Sequence, residues 1–158
     1  MDTLSDVAVA DKFYTSFANR DIDGMLSCYD DAVTFEDPAF GKLTGSQPHN
    51  MWSMLLKQGD SGLKITHSAP VAKNDKVVTN WEAVYKFSKT GRQVHNIITA
   101  TMTIKNGKII EHKDVFDIWR WSRMALGTTG LLLGFTPLVK NKIRSQALKA
   151  LHKFESQQ

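Results

Sequence analysis

The chain has 158 residues, 42% of them hydrophobic and 23% charged, with a formal net charge of +4. That describes one soluble globular domain and excludes a disordered or fibrous chain. The single Cys28 excludes an intrachain disulfide and a cysteine-rich metal site, and Met25, Leu26 and Tyr29 around it mark it as a small buried hydrophobe.

The first residues, "MDTLSDVAVADKF", carry early acids and no uninterrupted apolar run of signal-peptide type. The expectation is a mature, untargeted start and a cytoplasmic protein. From Leu4 to Ala18, Ala10, Phe13 and Phe17 recur at three- and four-residue steps, which predicts a helix with one buried stripe. Asp21 is placed to cap a short second helix, "IDGMLSCY", and "DDA" breaks the chain before a strand from Val33 to Asp37. Pro38 and Gly41 end that strand. A third helix starts near Ser46, with Pro48 in its first turn and Trp52, Leu55 and Leu56 on its apolar side.

Beyond residue 62 the period changes to alternation. Four segments rich in Val, Ile, Thr, Trp and Tyr follow, and "KTG" and "KNG" are hairpin signals between the last three. Helices followed by such a meander predict an α+β domain with a mostly antiparallel sheet curved around N-terminal helices. Alternation puts Trp81, Ala83 and Tyr85 on one inward face, Asn96, Ile98, Ala100 and Met102 on the next, and Ile110, His112, Asp114 and Phe116 on the last. Asp37 shares its face with Val33 and Phe35, so Asp37, Asn96, His112 and Asp114 are polar groups on otherwise apolar faces.

The end of the chain has another character. "WRWSRMALG" predicts a short helix stopped by Gly127, "TTGLLLGF" an apolar connector, and Thr136 with Pro137 the start of a long helix. On that helix Val139, Ile143, Ala147 and Leu151 line one side and Lys140, Lys142, Arg144, Lys149 and Lys153 the others. Residues 118–158 hold 7 Lys+Arg against 1 acid, a net of +6, whereas residues 1–117 hold 13 against 15, a net of −2. A basic amphipathic helix beside an apolar run raises peripheral contact with an anionic membrane as the rival to simple packing. "LLLGF" is far too short to span a bilayer. Nucleic-acid binding lacks the interleaved basic and aromatic surface it needs. The division expected is a cone domain over 1–118 and a helical extension over 119–158.

"DIDGMLSCYDDAVTFEDP", residues 21–38, resembles the ketosteroid isomerase and SnoaL-like branch of the nuclear transport factor 2-like superfamily, and "NGKIIEHKDVFD" is similar to the last strand of the SnoaL-like group. The resemblance runs over roughly residues 4–118. It implies a cone-shaped, cystatin-like fold with a deep apolar pocket, dimeric through the outer sheet face. By that match Asp37 falls where ketosteroid isomerases keep a general base. Phe13 stands in place of the tyrosine oxyanion donor, Tyr14 beside it is expected to point elsewhere, and Ala100 stands in place of the acid donor. Losing one such donor costs on the order of a hundredfold in rate, so steroid isomerisation itself is not expected. Asp114 matches the acid that performs proton transfer in SnoaL-like cyclases.

Two carboxylates and a histidine in an apolar cavity suit proton abstraction beside a carbonyl, dehydration or ring closure. The expected catalytic set is Asp37, His112 and Asp114, with Phe13, Trp52, Trp81, Tyr85, Asn96 and Phe116 as pocket residues. No cofactor and no metal are called for, because an H-x-D pair without a third ligand makes a poor metal site. The alternatives are a turn role for Asp37, a satisfied core histidine at His112, and a non-catalytic binding or interaction module of the same fold. A limonene-epoxide-hydrolase-like role is the third choice, weakened because its Asp-Arg-Asp relay finds no place on the matching strands. The enzymatic reading fails if neither Asp37 nor His112 borders a cavity. A cavity filled by Trp52, Trp81 or Tyr85 favours the module.

Overall fold

A computed structural model describes residues 2–59 and 62–158. The elements in chain order are α1 (Thr3–Ala18), α2 (Ile22–Ser27), β1 (Tyr29–Asp37), β2 (Gly41–Leu43), α3 (Gln47–Gln58), β3 (Lys64–His67), β4 (Val71–Lys73), β5 (Lys76–Phe87), β6 (Arg92–Lys105), β7 (Lys108–Val115), α4 (Ile118–Leu126), α5 (Thr128–Leu133) and α6 (Pro137–Glu155). The sheet order is β2-β1-β7-β6-β5-β3, with β4 also on β5. Only the β1–β7 pair is parallel among the ladders described; the rest are antiparallel. This is the expected α+β cone with a C-terminal helical extension.

Local signals set the element ends. Asp21 accepts from Gly24 N at 2.9 Å to cap α2, and Thr136 accepts from Val139 N at 3.4 Å to cap α6. Asn106 and Gly107 both take positive φ, as a two-residue hairpin turn between β6 and β7 requires. The core joins α1 (Ala10, Phe13, Tyr14, Phe17) to the sheet (Val33, Phe35, Ile98, Met102, Ile109) through Trp52 of α3 and Trp81 of β5.

Four boundaries differ from the sequence reading. β1 begins at Tyr29, not Val33, because "DD" sits in an irregular stretch of the strand where the β1–β7 register shifts between Tyr29 and Thr34. A short strand, β2, turns back onto β1 through Gly41 at φ +73°. The β6–β7 register slips between Thr103 and Ile104, so Ile109 is buried and Ile110 is not. Finally, the apolar connector is itself helical, as α5.

α6 lays Val139 and Leu151 into the protein and packs Ala147, Leu148, Ala150 and Phe154 on the main core, while Ile143 joins a smaller cluster with Val94, Trp121 and Ala125. Its apolar stripe is therefore occupied. What it offers to solvent is its basic side. Among the described residues no helix is long and apolar enough to cross a membrane.

Candidate functional site

β7 supplies the centre of the site. His112 and Asp114 lie two residues apart on its inward face and are 2% and 3% exposed. Nε2 of His112 is 2.9 Å from Oδ1 of Asp114, and Nδ1 is 2.7 Å from the Tyr29 hydroxyl. Trp52 Nε1–H donates to the Tyr29 oxygen at 2.7 Å, and Trp81 Nε1–H donates at 3.4 Å to the Asp114 oxygen that faces the histidine. The Tyr14 hydroxyl stands 3.2 Å from Nε2. With a neutral imidazole these partners leave one consistent order: Trp52 donates to Tyr29, Tyr29 to Nδ1, and Nε2–H to Asp114. In this order Tyr29 is paired on both sides, while the Tyr14 hydroxyl oxygen faces an Nε2 that already carries its proton.

The rings around it explain why the imidazole is held. Phe13 and Phe35 present edges to His112 at centroid distances of 5.5 and 5.1 Å, and Trp52 stacks on it at 5.9 Å. Burial raises the phenols of Tyr14 and Tyr29 well above their ordinary value, and the Asp114 carboxylate adds to the shift in both. Both phenols stay protonated near neutrality and keep a proton to donate.

β1 brings the second carboxylate. Phe35 pairs with His112 and Glu36 with Lys113 in the parallel ladder, so one further step of that register sets Asp37 beside Asp114. Asp37 also begins a turn, accepting from Phe40 N at 2.6 Å. Burial nevertheless pushes its carboxyl up to about 7, with the Asp114 charge raising it further and the backbone bonds and Arg144 of α6 opposing the rise. The turn role and an acid/base role are therefore compatible. Asp37 is partly exposed, whereas His112 and Asp114 are not.

Of the expected pocket residues, Phe13, Trp52 and Trp81 surround the histidine and its carboxylate. Tyr85 sits nearer Asp37 and accepts a hydrogen bond from Trp121 Nε1 of α4 at 2.8 Å. Phe116 packs against both apolar clusters. Asn96 is buried on the same inward face, opposite Ala83, and among the described residues no hydrogen bond joins it to His112 or Asp114. Two residues were not anticipated. Tyr14 points into the site beside Phe13, because the buried side of α1 is broad enough to take both rings. The sequence pattern places Tyr29 at the end of a helix, whereas it opens β1. Its place one step before an acid-rich break, at the head of an apolar strand, was the signal available.

The surround of His112 is tightly packed. Tyr14, Trp52 and Trp81 fill the space around the network, and the two hollows described, of about 550 and 510 Å³, lie elsewhere: one between Asp2, Asp6, Asp75 and the β6–β7 turn, the other along Asn141, Arg144, Ser145 and His152. Neither is bordered by Asp37 or His112. Arg144 lies against Gly41, at the end of the Asp37 turn, which places α6 over that edge of the site. The same residues include no group of three or more His, Cys, Asp or Glu positioned to hold a metal ion.

The SnoaL-like domain family matches residues 10–112. Among solved structures, TerC co-crystallised with polyporic acid is similar at 18% identity and TM-score 0.65 over 78% of this chain and 99% of that one. An LEH-like epoxide hydrolase from M.tuberculosis matches at 20% identity and TM-score 0.61 over 88% and 98%. An ntf2-like protein of unknown function from Burkholderia pseudomallei matches at 15% and 0.64 over 77% and 97%. At these identities the likeness is one of fold. No curated protein sequence matches the chain.

Proposed function

This chain belongs to the SnoaL-like domain family, and on that premise we propose that it is a general acid/base enzyme, an isomerase, cyclase or dehydratase acting on a small apolar compound with a carbonyl or hydroxyl group. The observation that carries this reading is the pair of adjacent carboxylates, Asp37 and Asp114, of which burial holds the first at about 7. A group titrating there is present in both forms at neutral pH and can take or return a proton with little driving force lost.

In this reading Asp37, at the accessible edge, removes the proton beside a carbonyl or delivers one to a departing hydroxyl. Burial, together with Asp114 held by His112, keeps the Asp37 carboxyl high enough to take the proton and to return it, so the same group serves both steps. Tyr14 and Tyr29 hold the imidazole in one tautomer and supply protonated hydroxyls to the same space. Substrate reaches Asp37 when α6 and the Trp121–Tyr85 contact give way. A homodimer joined through the outer sheet face, where Ile97 and Val115 are exposed, belongs to the same reading.

The test is solvent deuterium exchange at the α-carbon of a panel of small cyclic ketones and enones, followed by NMR. The wild-type chain exchanges above the buffer rate, and Asp37→Asn loses about a hundredfold or more of that excess. An excess untouched by Asp37→Asn, or no excess with any member of the panel, overturns it. A second reading, a non-catalytic ligand-binding or interaction module, is favoured by the interior filled by Trp52 and Trp81. It predicts ligands that raise the melting temperature and are recovered unchanged.

A further inference from the structure

α5 and the turn after it expose a row of large apolar side chains. Leu132, Phe135 and Leu138 are 62%, 59% and 78% exposed, and Leu131, Leu133 and Trp119 stand beside them. Their exposure is imposed by how α5 is anchored. Gly130 and Gly134 lie directly on Ser122 of α4, where a Cβ on either would collide with the Ser122 carbonyl or hydroxyl. Trp119 Nε1–H donates to the Leu131 carbonyl at 3.3 Å, and Thr136 OH to the Leu133 carbonyl at 2.6 Å. The small and backbone atoms face the protein. The leucines have nowhere to go but outward.

The surroundings of this ridge are cationic. Arg123 stacks over the Trp119 ring at 4.5 Å, Arg120 lies one residue on, and the exposed Lys140 and Lys142 follow Leu138 within the first turns of α6. Leu138, Lys142, Ser145 and Lys149 share one stripe of that helix by their spacing. The only acid of residues 118–158, Glu155, is roughly 25 Å further along the helix at 1.5 Å per residue, where it accepts from Asn50. At the Trp119 end Asp117, the cap of α4, accepts from Trp119 N and Arg120 N, so the cations are in excess there but not alone. Exposed leucines and aromatic rings flanked by an excess of arginine and lysine match an anionic lipid surface, where apolar groups enter the headgroup region while cations remain at the phosphates.

We infer that the α5 ridge, from Trp119 and Leu131 to Leu138, is a docking surface for an anionic bilayer, with Arg120, Arg123, Lys140 and Lys142 as its headgroup contacts. α6 takes part through Leu138 in its first turn and through its basic side, because the rest of its apolar stripe is used by the core. A ridge of this size with few cations gives reversible binding that weakens with salt.

The test is co-sedimentation of the full chain with phosphatidylcholine vesicles and with phosphatidylcholine/phosphatidylglycerol vesicles, at low and high salt. Expected is partitioning about tenfold or more stronger to the anionic vesicles, diminished by salt. Leu132→Glu with Leu138→Glu abolishes binding to both, while Lys140→Glu with Lys142→Glu removes the preference for anionic lipid; circular dichroism and melting of each variant exclude unfolding. Equal binding to both vesicle types, or anionic binding that survives the two glutamates, overturns the inference. So does an absence of vesicle binding together with a concentration-dependent dimer that the same glutamates dissociate, since the ridge then meets a second copy. None of these outcomes depends on whether the Asp37 site turns anything over.

Discussion

The cone interior and the C-terminal extension use similar side chains to opposite ends. Around His112, Tyr14, Tyr29, Trp52 and Trp81 are buried, and their polar atoms close a network with Asp114. On α5 and the turn after it, leucines and Phe135 are exposed with nothing over them among the described residues, and Trp119 holds the segment by a bond to a backbone carbonyl. The interior is held by satisfied polar pairs in a low-dielectric surround, so deleting one member strands another. Within the extension α5 is held by backbone and glycine contacts, so its outward side chains can change at little cost to folding. Apolar content alone does not tell a core from a binding surface; what decides is which atoms carry the contact.

The sharpest way to break this contrast is at the imidazole. His112→Ala leaves the buried Asp114 only the long bond from Trp81 and leaves the Tyr29 hydroxyl proton without an acceptor, and stability should fall by about 3–5 kcal/mol in denaturant titrations. Trp52→Phe keeps most of the ring but removes the donor to Tyr29; a loss of about 1–3 kcal/mol is expected from the same measurement. Gly130→Ala tests the extension where it is tight. Its methyl group meets Ser122 backbone, and a loss of about 1–3 kcal/mol, with proteolytic nicking confined to residues 127–136, is the expected result.

Asp37 gives a pH-dependent contrast. Burial raises its carboxyl from 3.8 to about 7, so over that interval the folded chain holds a proton that the unfolded chain has released. Its contribution is therefore complete below about pH 3.8 and is lost as pH rises through about 7. Asp37→Asn should accordingly stabilise the protein by about 1–3 kcal/mol at about pH 8 and change little near pH 4, read as the difference in melting curves. The smallest effect belongs to the exposed ridge: Leu132→Glu with Leu138→Glu should stay within about 0.5 kcal/mol of wild type in the same titrations. A large loss there would mean that the ridge belongs to the folding core after all.

Much of this architecture could be read along the chain. Trp81, Ala83 and Tyr85 on β5, and Asn96, Ile98, Ala100 and Met102 on β6, face inward as alternation requires, and the caps at Asp21 and Thr136 are where their side-chain chemistry puts them. The same rule failed at Ile110, where a register slip in the β6–β7 ladder exchanged its burial with Ile109, and at the head of β1, where an irregular stretch hid Tyr29. A shift of one residue inverts every side chain beyond it, and nothing in the local composition announces it.

Period and turn chemistry are near-neighbour properties, so the order of chain elements, the inward set of each strand and the acid on an apolar face at Asp37 followed from the residues themselves. Which groups meet is a property of the assembled sheet and the helices packed on it. That His112 lies between Tyr29 and Asp114, that Tyr14 reaches it from the first helix, and that α6 buries its stripe while α5 shows its leucines were decided by packing across long stretches of chain, because hydrogen-bond geometry and excluded volume act between neighbours in space.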